Sequence, residues 1–234
     1  MTEIPTLPPG NCQLWWASPQ DARPDHERLL NPVERGRATD YRRDIDRRRF
    51  GVGVAMSRLV AGRLLDVDPA DVPIDRSCPD CGGPHGRPRI VDSDLRLSIS
   101  HSGDLIGLVV ARDTEIGLDV EEIDADRSEA IPSVLTDPER AAMDQADDPT
   151  LWLFRYWVRK EAVLKATGDG LMVPMTDLTV SRPDRPAAVL SFRDDPDTIE
   201  LTDLDAGEHH LASLASVGPL PFVTVHDGSA LLAG

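Results

Sequence analysis

Asp119 and Glu121 stand two residues apart in the segment Gly117-Leu-Asp-Val-Glu-Glu-Ile123. On a strand that spacing turns both carboxylates to one face. Like charges so placed repel unless water solvates both or a cation lies between them. The plainer reading is a polar, solvent-facing strand side; the chemical one is a divalent-metal site of hard oxygen donors. Trp157, Glu161 and Lys165 recur at intervals of four and would share one face of a helix. Alone, Glu161 and Lys165 make an exposed ion pair worth ~0.3–0.5 kcal/mol. Brought to Asp119 and Glu121, Glu161 adds a third carboxylate for a metal, and Lys165 a cation for phosphate. Lysine usage sharpens the point: of 25 basic residues only Lys160 and Lys165 are lysines, both within one six-residue stretch. A compact ammonium is what the planar arginine fork replaces badly.

The segment Leu97-Ser-Ile-Ser-His-Ser-Gly103 sets three serines, His101 and a glycine at a strand end. Hydroxyls, imidazole and backbone amides suit a phosphate, although a lone histidine also serves as a hydrogen-bonded turn residue. A serine hydrolase is not indicated. No Gly-x-Ser-x-Gly elbow is present, and adjacent Ser100 and His101 diverge on a strand. Cys78-Pro-Asp-Cys81-Gly-Gly-Pro-His85 has zinc-knuckle spacing in its first half but offers three local ligands where a structural zinc takes four. Cys12, His209 or His210 could add a fourth only if the fold brought one near. Zinc at Cys78, Cys81 and His85 is therefore admitted, and a reduced, tight turn is preferred. No helix starts at this CxxC, which argues against a thioredoxin-like role.

The elements that must position these residues are partly readable. Residues 31–66 read as one largely helical stretch, with Asn31 as cap and Pro32 in the first turn. Leu95–Ser100 and Leu105–Arg112 read as strands joined through residues 101–104, and Glu115–Ile123 as a third. Asp137-Pro138 marks a helix start, and Asp148-Pro149 precedes the strongest helix, Thr150–Thr167, closed by Gly168. Short apolar runs after Asp177 suggest a small antiparallel sheet, and Gly228–Gly234 a loose tail. Asn31-Pro-Val-Glu-Arg35 is echoed by Asp137-Pro-Glu-Arg140, a faint repeat that two half-domains of helix plus sheet would explain.

The chain of 234 residues has 40% apolar residues and can bury a real core. No apolar run approaches the ~20 residues of a membrane span. The first ten residues hold three prolines and no base, unlike a secretory signal, and three cysteines suit a reducing cytoplasm. Net charge is -16, which makes nucleic acid a poor partner. Residues 1–112 balance at 16 bases and 16 acids, so the excess acid lies in 113–234. Arg42, Arg43, Arg47, Arg48 and Arg49 form the one dense basic run, either a solvated helix face or a capture site for a small polyanion.

Taken in order, Gly86-Arg-Pro88, Ser98-Ile-Ser-His-Ser102, Gly117-Leu-Asp-Val-Glu121 and Trp157-Val-Arg-Lys-Glu-Ala-Val-Leu-Lys165 resemble the Sfp-type 4'-phosphopantetheinyl transferases across residues 31–175. The resemblance implies an α+β fold of two pseudo-symmetric half-domains, 1–113 and 114–234, each a helix packed on a small antiparallel sheet. It implies coenzyme A and Mg²⁺ (Mn²⁺ as substitute) held in the cleft between them. The implied reaction moves phosphopantetheine to a serine of an apo acyl or peptidyl carrier protein, in polyketide or nonribosomal-peptide synthesis, and releases 3',5'-ADP. Carried over, Asp119, Glu121 and Glu161 are the metal ligands, Glu161 is also the base, and Lys165 meets the pyrophosphate. Arg37, Arg49, Arg87, Ser100 and His101 would bind coenzyme phosphates. Glu34 departs from the pattern, standing where some relatives have a base, and the cysteine loop lies outside it. Family carriers are usually acidic, so docking would rest on apolar contacts and a few arginines from 42 to 49. A monomer is expected. Two other classes compete: a metal-dependent phosphohydrolase using the same carboxylates, and a non-catalytic module built on the cysteine loop.

Overall fold

The protein is described by a computed structural model covering residues 4–78, 80–125, 134–193 and 198–234. Its contacts divide the chain into two units, residues 1–113 with 222–234, and residues 114–221.

The first unit holds β1 (Asn11–Ala17), α1 (Pro32–Asp40), α2 (Asp44–Leu65), β2 (Ile74–Asp75), β3 (Arg89–Ile90), β4 (Leu95–Ser102) and β5 (Leu105–Arg112). The second holds β6 (Ile116–Glu122), α3 (Asp137–Met143), α4 (Pro149–Thr167), β7 (Leu178–Val180), β8 (Val189–Phe192), β9 (Ile199–Leu204) and β10 (His210–Val217). The chain then returns to the first unit as β11 (Phe222–Asp227) and α5 (Gly228–Ala233).

In the first unit α2 lies on a sheet ordered β11-β1-β5-β4. Val52, Ala55, Met56 and Val60 of the helix bury against Leu97, Ile106 and Leu108. In the second, α4 lies on an antiparallel sheet ordered β6-β10-β9, with Ala162, Val163 and Ala166 in a core with Leu201 and Ala215. The same plan of one long helix on a small sheet thus appears in both units, as the resemblance implied.

The faint repeat has a structural basis. Glu34 sits at the third position of α1 and accepts the Asn31 amide at 2.8 Å; Glu139 does the same in α3 for Thr136, also at 2.8 Å. Each glutamate is buried and paired with a cation of its unit's long helix, Glu34 with Arg58 at 2.9 Å and Glu139 with Lys160 at 2.6 Å. Arg35 and Arg140 each fold back onto a carbonyl five residues earlier, those of Leu30 and Leu135. Glu34 is therefore part of the scaffold, which accounts for its departure from the basic pattern.

Four expectations need correction. The stretch 31–66 is two helices, because the chain turns extended at Tyr41 and restarts at Arg43, where Asp44 and Asp46 favour the new helix N-terminus. The link between β4 and β5 is only Gly103-Asp104, since Ser102 pairs with Leu105 and Gly103 takes a positive φ of 56°. His101 is thus a strand residue. The second half does not run from 114 to 234: β11 pairs in parallel with β1, Asn11 opposite Phe222, and returns 222–234 to the first unit. Nor is the end loose, because Asp227 caps α5 through the Ala230 amide and buries Leu231 and Leu232.

Candidate active site

Asp119 lies buried in the middle of β6, opposite Ser213 of β10, and Glu121 opposite Leu211. Strand alternation puts Gly117, Asp119 and Glu121 on one face. That face meets α4, and Gly117 is why it can. A Cβ at Gly117 would stand 2.1 Å from the Ala162 carbonyl oxygen and 2.3 Å from the Ala166 amide nitrogen. Only a residue without a side chain lets helix backbone touch strand backbone here.

The close approach brings the helix's chemistry to the strand's. Lys165 Nζ donates to Asp119 Oδ1 at 2.6 Å. Glu161, one turn earlier, is pushed up to about 7 by burial and by Asp119, with Glu121 adding to the effect and Lys165 opposing it. Trp157 packs half-buried beside Phe154, Val158 and Leu211, so it supports the helix rather than the chemistry. Lys160, the other lysine, is fully buried and satisfied. It donates to Val134 O at 2.6 Å, Glu139 Oε2 at 2.6 Å and Met175 O at 2.9 Å. Three donors on a compact ammonium fit that cradle, and a guanidinium would not.

The donor set suits a divalent cation. It offers three hard-oxygen carboxylates on a strand and a facing helix, with a mutual repulsion at Glu161 that a cation would relieve. Their oxygens are not drawn together as tightly as those of a formed site: among the described residues, only Cys78, Cys81 and His85 bring three donor atoms within 4.8 Å of one another. Lys165 supplies the positive charge at Asp119.

The first unit gathers a second group. A cavity of about 160 Å³ is lined by Arg37, Arg49, Arg76, Tyr41, Phe50 and His101, among others. Arg37 lies over the Phe50 ring at 5.4 Å and donates to Pro84 O at 3.0 Å. Arg49 donates to Gly103 O at 2.8 Å and to Asp46 at 2.9 Å. Arg76 was not singled out from sequence. Burial and the neighbouring Arg37 pull its guanidinium down to about 10, and its Nε is buried without a hydrogen-bond partner. Such a cationic pocket suits an anion. Its one sequence signal was membership in a first half whose basic residues are all arginine.

Ser100 and Arg87 are not among the residues lining this cavity. Ser100 is buried and points to the opposite face of β4 from His101, whereas Arg87 is half-buried at the end of the cysteine loop. In the basic run, Arg43, Arg47 and Arg48 pair with Asp46 or Asp44 on an exposed face. The solvated-face reading fits them, and only Arg49 joins the cavity.

Three carboxylates and a lysine gathered by a strand and a helix, in an α+β fold, suit a class of enzymes that move a phosphate-bearing group by charge neutralisation. The comparisons give that class a family. Residues 115–215, which include Asp119, Glu121, Glu161 and Lys165, match the 4'-phosphopantetheinyl transferase superfamily. The chain is 31% identical to the 4'-phosphopantetheinyl transferase HetI of Nostoc sp. over 173 residues, 71% of this chain and 72% of that one. It is 24% identical to a phosphopantetheinyl transferase of Thraustochytrium sp., covering 88% of this chain and 81% of that one. It is 25% identical to Sfp of Bacillus subtilis, covering 65% and 66%. The holo-[acyl-carrier-protein] synthase structure from Thermotoga maritima aligns with a TM-score of 0.38 and 17% identity, over 44% of this chain and 62% of that one. The chain belongs to the 4'-phosphopantetheinyl transferase superfamily and is a transferase. Among the described residues, no helix is long and apolar enough to cross a membrane.

Proposed function

We propose that this enzyme transfers the 4'-phosphopantetheine group of coenzyme A to a serine of an apo acyl or peptidyl carrier protein, of the polyketide or nonribosomal-peptide kind. The observation that carries the reading is the contact of β6 with α4, which sets Lys165 on Asp119 beside a Glu161 held near neutrality.

Asp119, Glu121 and Glu161 are the residues to hold Mg²⁺, or Mn²⁺ in its place, by donor type. Bound there, the ion supplies charge neutralisation to the pyrophosphate oxygens. One Glu161 oxygen takes the proton of the carrier serine as its Oγ attacks the phosphorus bearing the pantetheine arm. The new Oγ–P bond forms, the pyrophosphate bridge breaks, and 3',5'-ADP leaves with the electron pair. Lys165 balances the charge that builds on the departing phosphate. A positioned carboxylate base contributes typically ~10²–10⁴-fold. In the first unit, Arg37, Arg49, Arg76 and His101 would take a coenzyme phosphate in their cavity. Arg87 and Ser100, which do not line that cavity, would meet the coenzyme's phosphates outside it.

The test is intact mass of an apo carrier protein incubated with enzyme, coenzyme A and Mg²⁺, with a chelator control. A metal-dependent gain of one phosphopantetheine is the expected result. Release of phosphate or nucleotide with the carrier mass unchanged would instead make the protein a phosphohydrolase.

A further inference from the structure

Among the described residues, the cysteine loop gathers the one cluster of three metal-ligating side chains, and the transferase reading leaves it unused. It runs from Arg76 to Pro88, and its base is closed by the pairing of β2 with β3, Ile74 opposite Ile90 and Asp75 opposite Arg89. Inside it the backbone folds on itself: Cys78 N donates to Gly83 O and Gly82 N to Cys78 O, both at 2.8 Å. Gly82 takes a positive φ of 70°, the left-handed turn that swings the chain back past the sulfurs. Gly83 donates its amide to Cys81 Sγ at 3.4 Å, and a Cβ there would stand 3.1 Å from the His85 ring.

Donor atoms converge within this turn. Cys81 Sγ and His85 Nε2 are 3.0 Å apart, and with Cys78 Sγ they form the group within 4.8 Å. A tetrahedral zinc with bonds of ~2.3 Å to sulfur and ~2.0–2.1 Å to nitrogen needs such donors roughly 3.5–3.8 Å apart, so small side-chain adjustments suffice. We propose that Cys78, Cys81 and His85 bind one zinc ion, which fixes the loop between Arg76 and Arg87. The fourth position falls to Asp80, whose Oδ2 lies 3.9 Å from Cys78 Sγ, or to water. Cys12 has no part in it, being wholly buried in β1 with its thiol pushed up to about 12, and His209 and His210 belong to the other unit.

Two thiolates and an imidazole are a borderline-soft set that selects zinc over the hard cations suited to the carboxylates. Binding releases the two thiol protons and takes His85 neutral at Nε2. The loop has something to position. Arg76 opens it, Arg87 follows His85 by two residues, and Pro84 O receives Arg37. A clamped loop would hold two cavity arginines in place, a consequence that rests on the coenzyme reading; zinc binding itself does not.

The test uses the full chain, expressed with zinc and purified under reducing, chelator-free conditions. About one zinc per chain is expected by elemental analysis, together with a thiolate-to-metal charge-transfer band on Co²⁺ substitution. Cys78→Ser/Cys81→Ser should lose both, with far-UV dichroism unchanged. His85→Cys should keep the ion and strengthen the cobalt band. Amides of residues 80–86 should exchange at least about tenfold faster without zinc. A wild-type chain with three titratable thiols, no zinc and no cobalt band would overturn the proposal. So would zinc retained by the double serine variant. None of these readouts depends on transferase activity, so a failed transfer assay and a failed zinc assay are separate results.

Discussion

Glu161 combines two demands in one side chain. It must be ionised to hold a cation or take a proton, yet its surroundings oppose ionisation. Burial and Asp119 push its carboxyl from 4.5 to about 7 in the metal-free protein, against the pull of Lys165. Between those values the folded state holds a proton that the unfolded state has released, so stability falls as pH rises from about 4.5 to about 7 and is level beyond. The penalty above that window is on the order of 3 kcal/mol. Glu161→Gln should remove it. Chelator-treated variant and wild type should melt alike near pH 4 and diverge at pH 8, the variant being the more stable. The same variant should lose transfer by ~10²-fold or more and bind coenzyme A less tightly without losing it. Equal stability at both pH values would mean that Glu161 carries no such penalty. Lys165→Arg tests the partner. The planar fork cannot put a point charge where Nζ meets Asp119 Oδ1 at 2.6 Å, so turnover should drop well below wild type with folding intact. Unchanged turnover would reduce the lysine scarcity to an accident of composition. The two lysines sit in different surroundings, Lys160 in a buried cradle of two carbonyls and Glu139, Lys165 on Asp119.

At the scale of elements, the site exists because β6 and α4 touch without a side chain between them. Gly117→Ala puts a methyl 2.1 Å from a helix carbonyl, too close for any rotamer to relieve, so strand and helix must part. Overpacking of this kind costs ~1–3 kcal/mol and occasionally more. A lower urea midpoint should accompany a loss of transfer larger than the stability change explains, because the carboxylates of β6 move away from Glu161 and Lys165. Wild-type activity in Gly117→Ala would show that the close approach is not what assembles the site. Much of this was legible beforehand. Spacings of two on a strand and four on a helix placed Asp119 with Glu121, and Glu161 with Lys165, on common faces. The reason for Gly117 was not legible, since a glycine in a strand does not say what lies against it. Arg76 was missed for a similar cause: its place in the cavity depends on the pairing of β2 with β3, more than ten residues on, and on Arg37, far back in the chain. Ser100 and His101, adjacent in the motif, part company for the simple reason that β4 runs on through both.

At the scale of the whole chain, the first unit is closed by its own far end. β11 pairs with β1 across more than two hundred residues, and such contacts leave no local periodicity to read. A loose tail was the natural reading of Gly228–Gly234 for that reason. The closure is well made. Thr224 Oγ1 donates to Cys12 O at 3.1 Å, Ser229 Oγ to Asp21 at 2.6 Å, and His226 stacks on Trp15 at 4.5 Å. Gly228 lies so close to Trp16 O that a Cβ would stand 2.7 Å from it. Leu231 and Leu232 enter the same core as α2. Removing a buried leucine side chain costs about 2–5 kcal/mol, so Leu232→Ala should lower the urea midpoint of the first unit markedly. Hydrogen exchange can place the damage. Amides of β4, β5 and α2 should lose protection, while those of β6, β10 and α4 keep theirs, because residues 114–221 carry a separate core. Protection lost equally in both units would mean that they unfold as one, and unchanged protection that α5 adds nothing to the first core. The selective outcome has a functional counterpart. With Arg37, Arg49 and Arg76 on a destabilised unit and the carboxylates on an intact one, KM for coenzyme A should rise more than kcat falls.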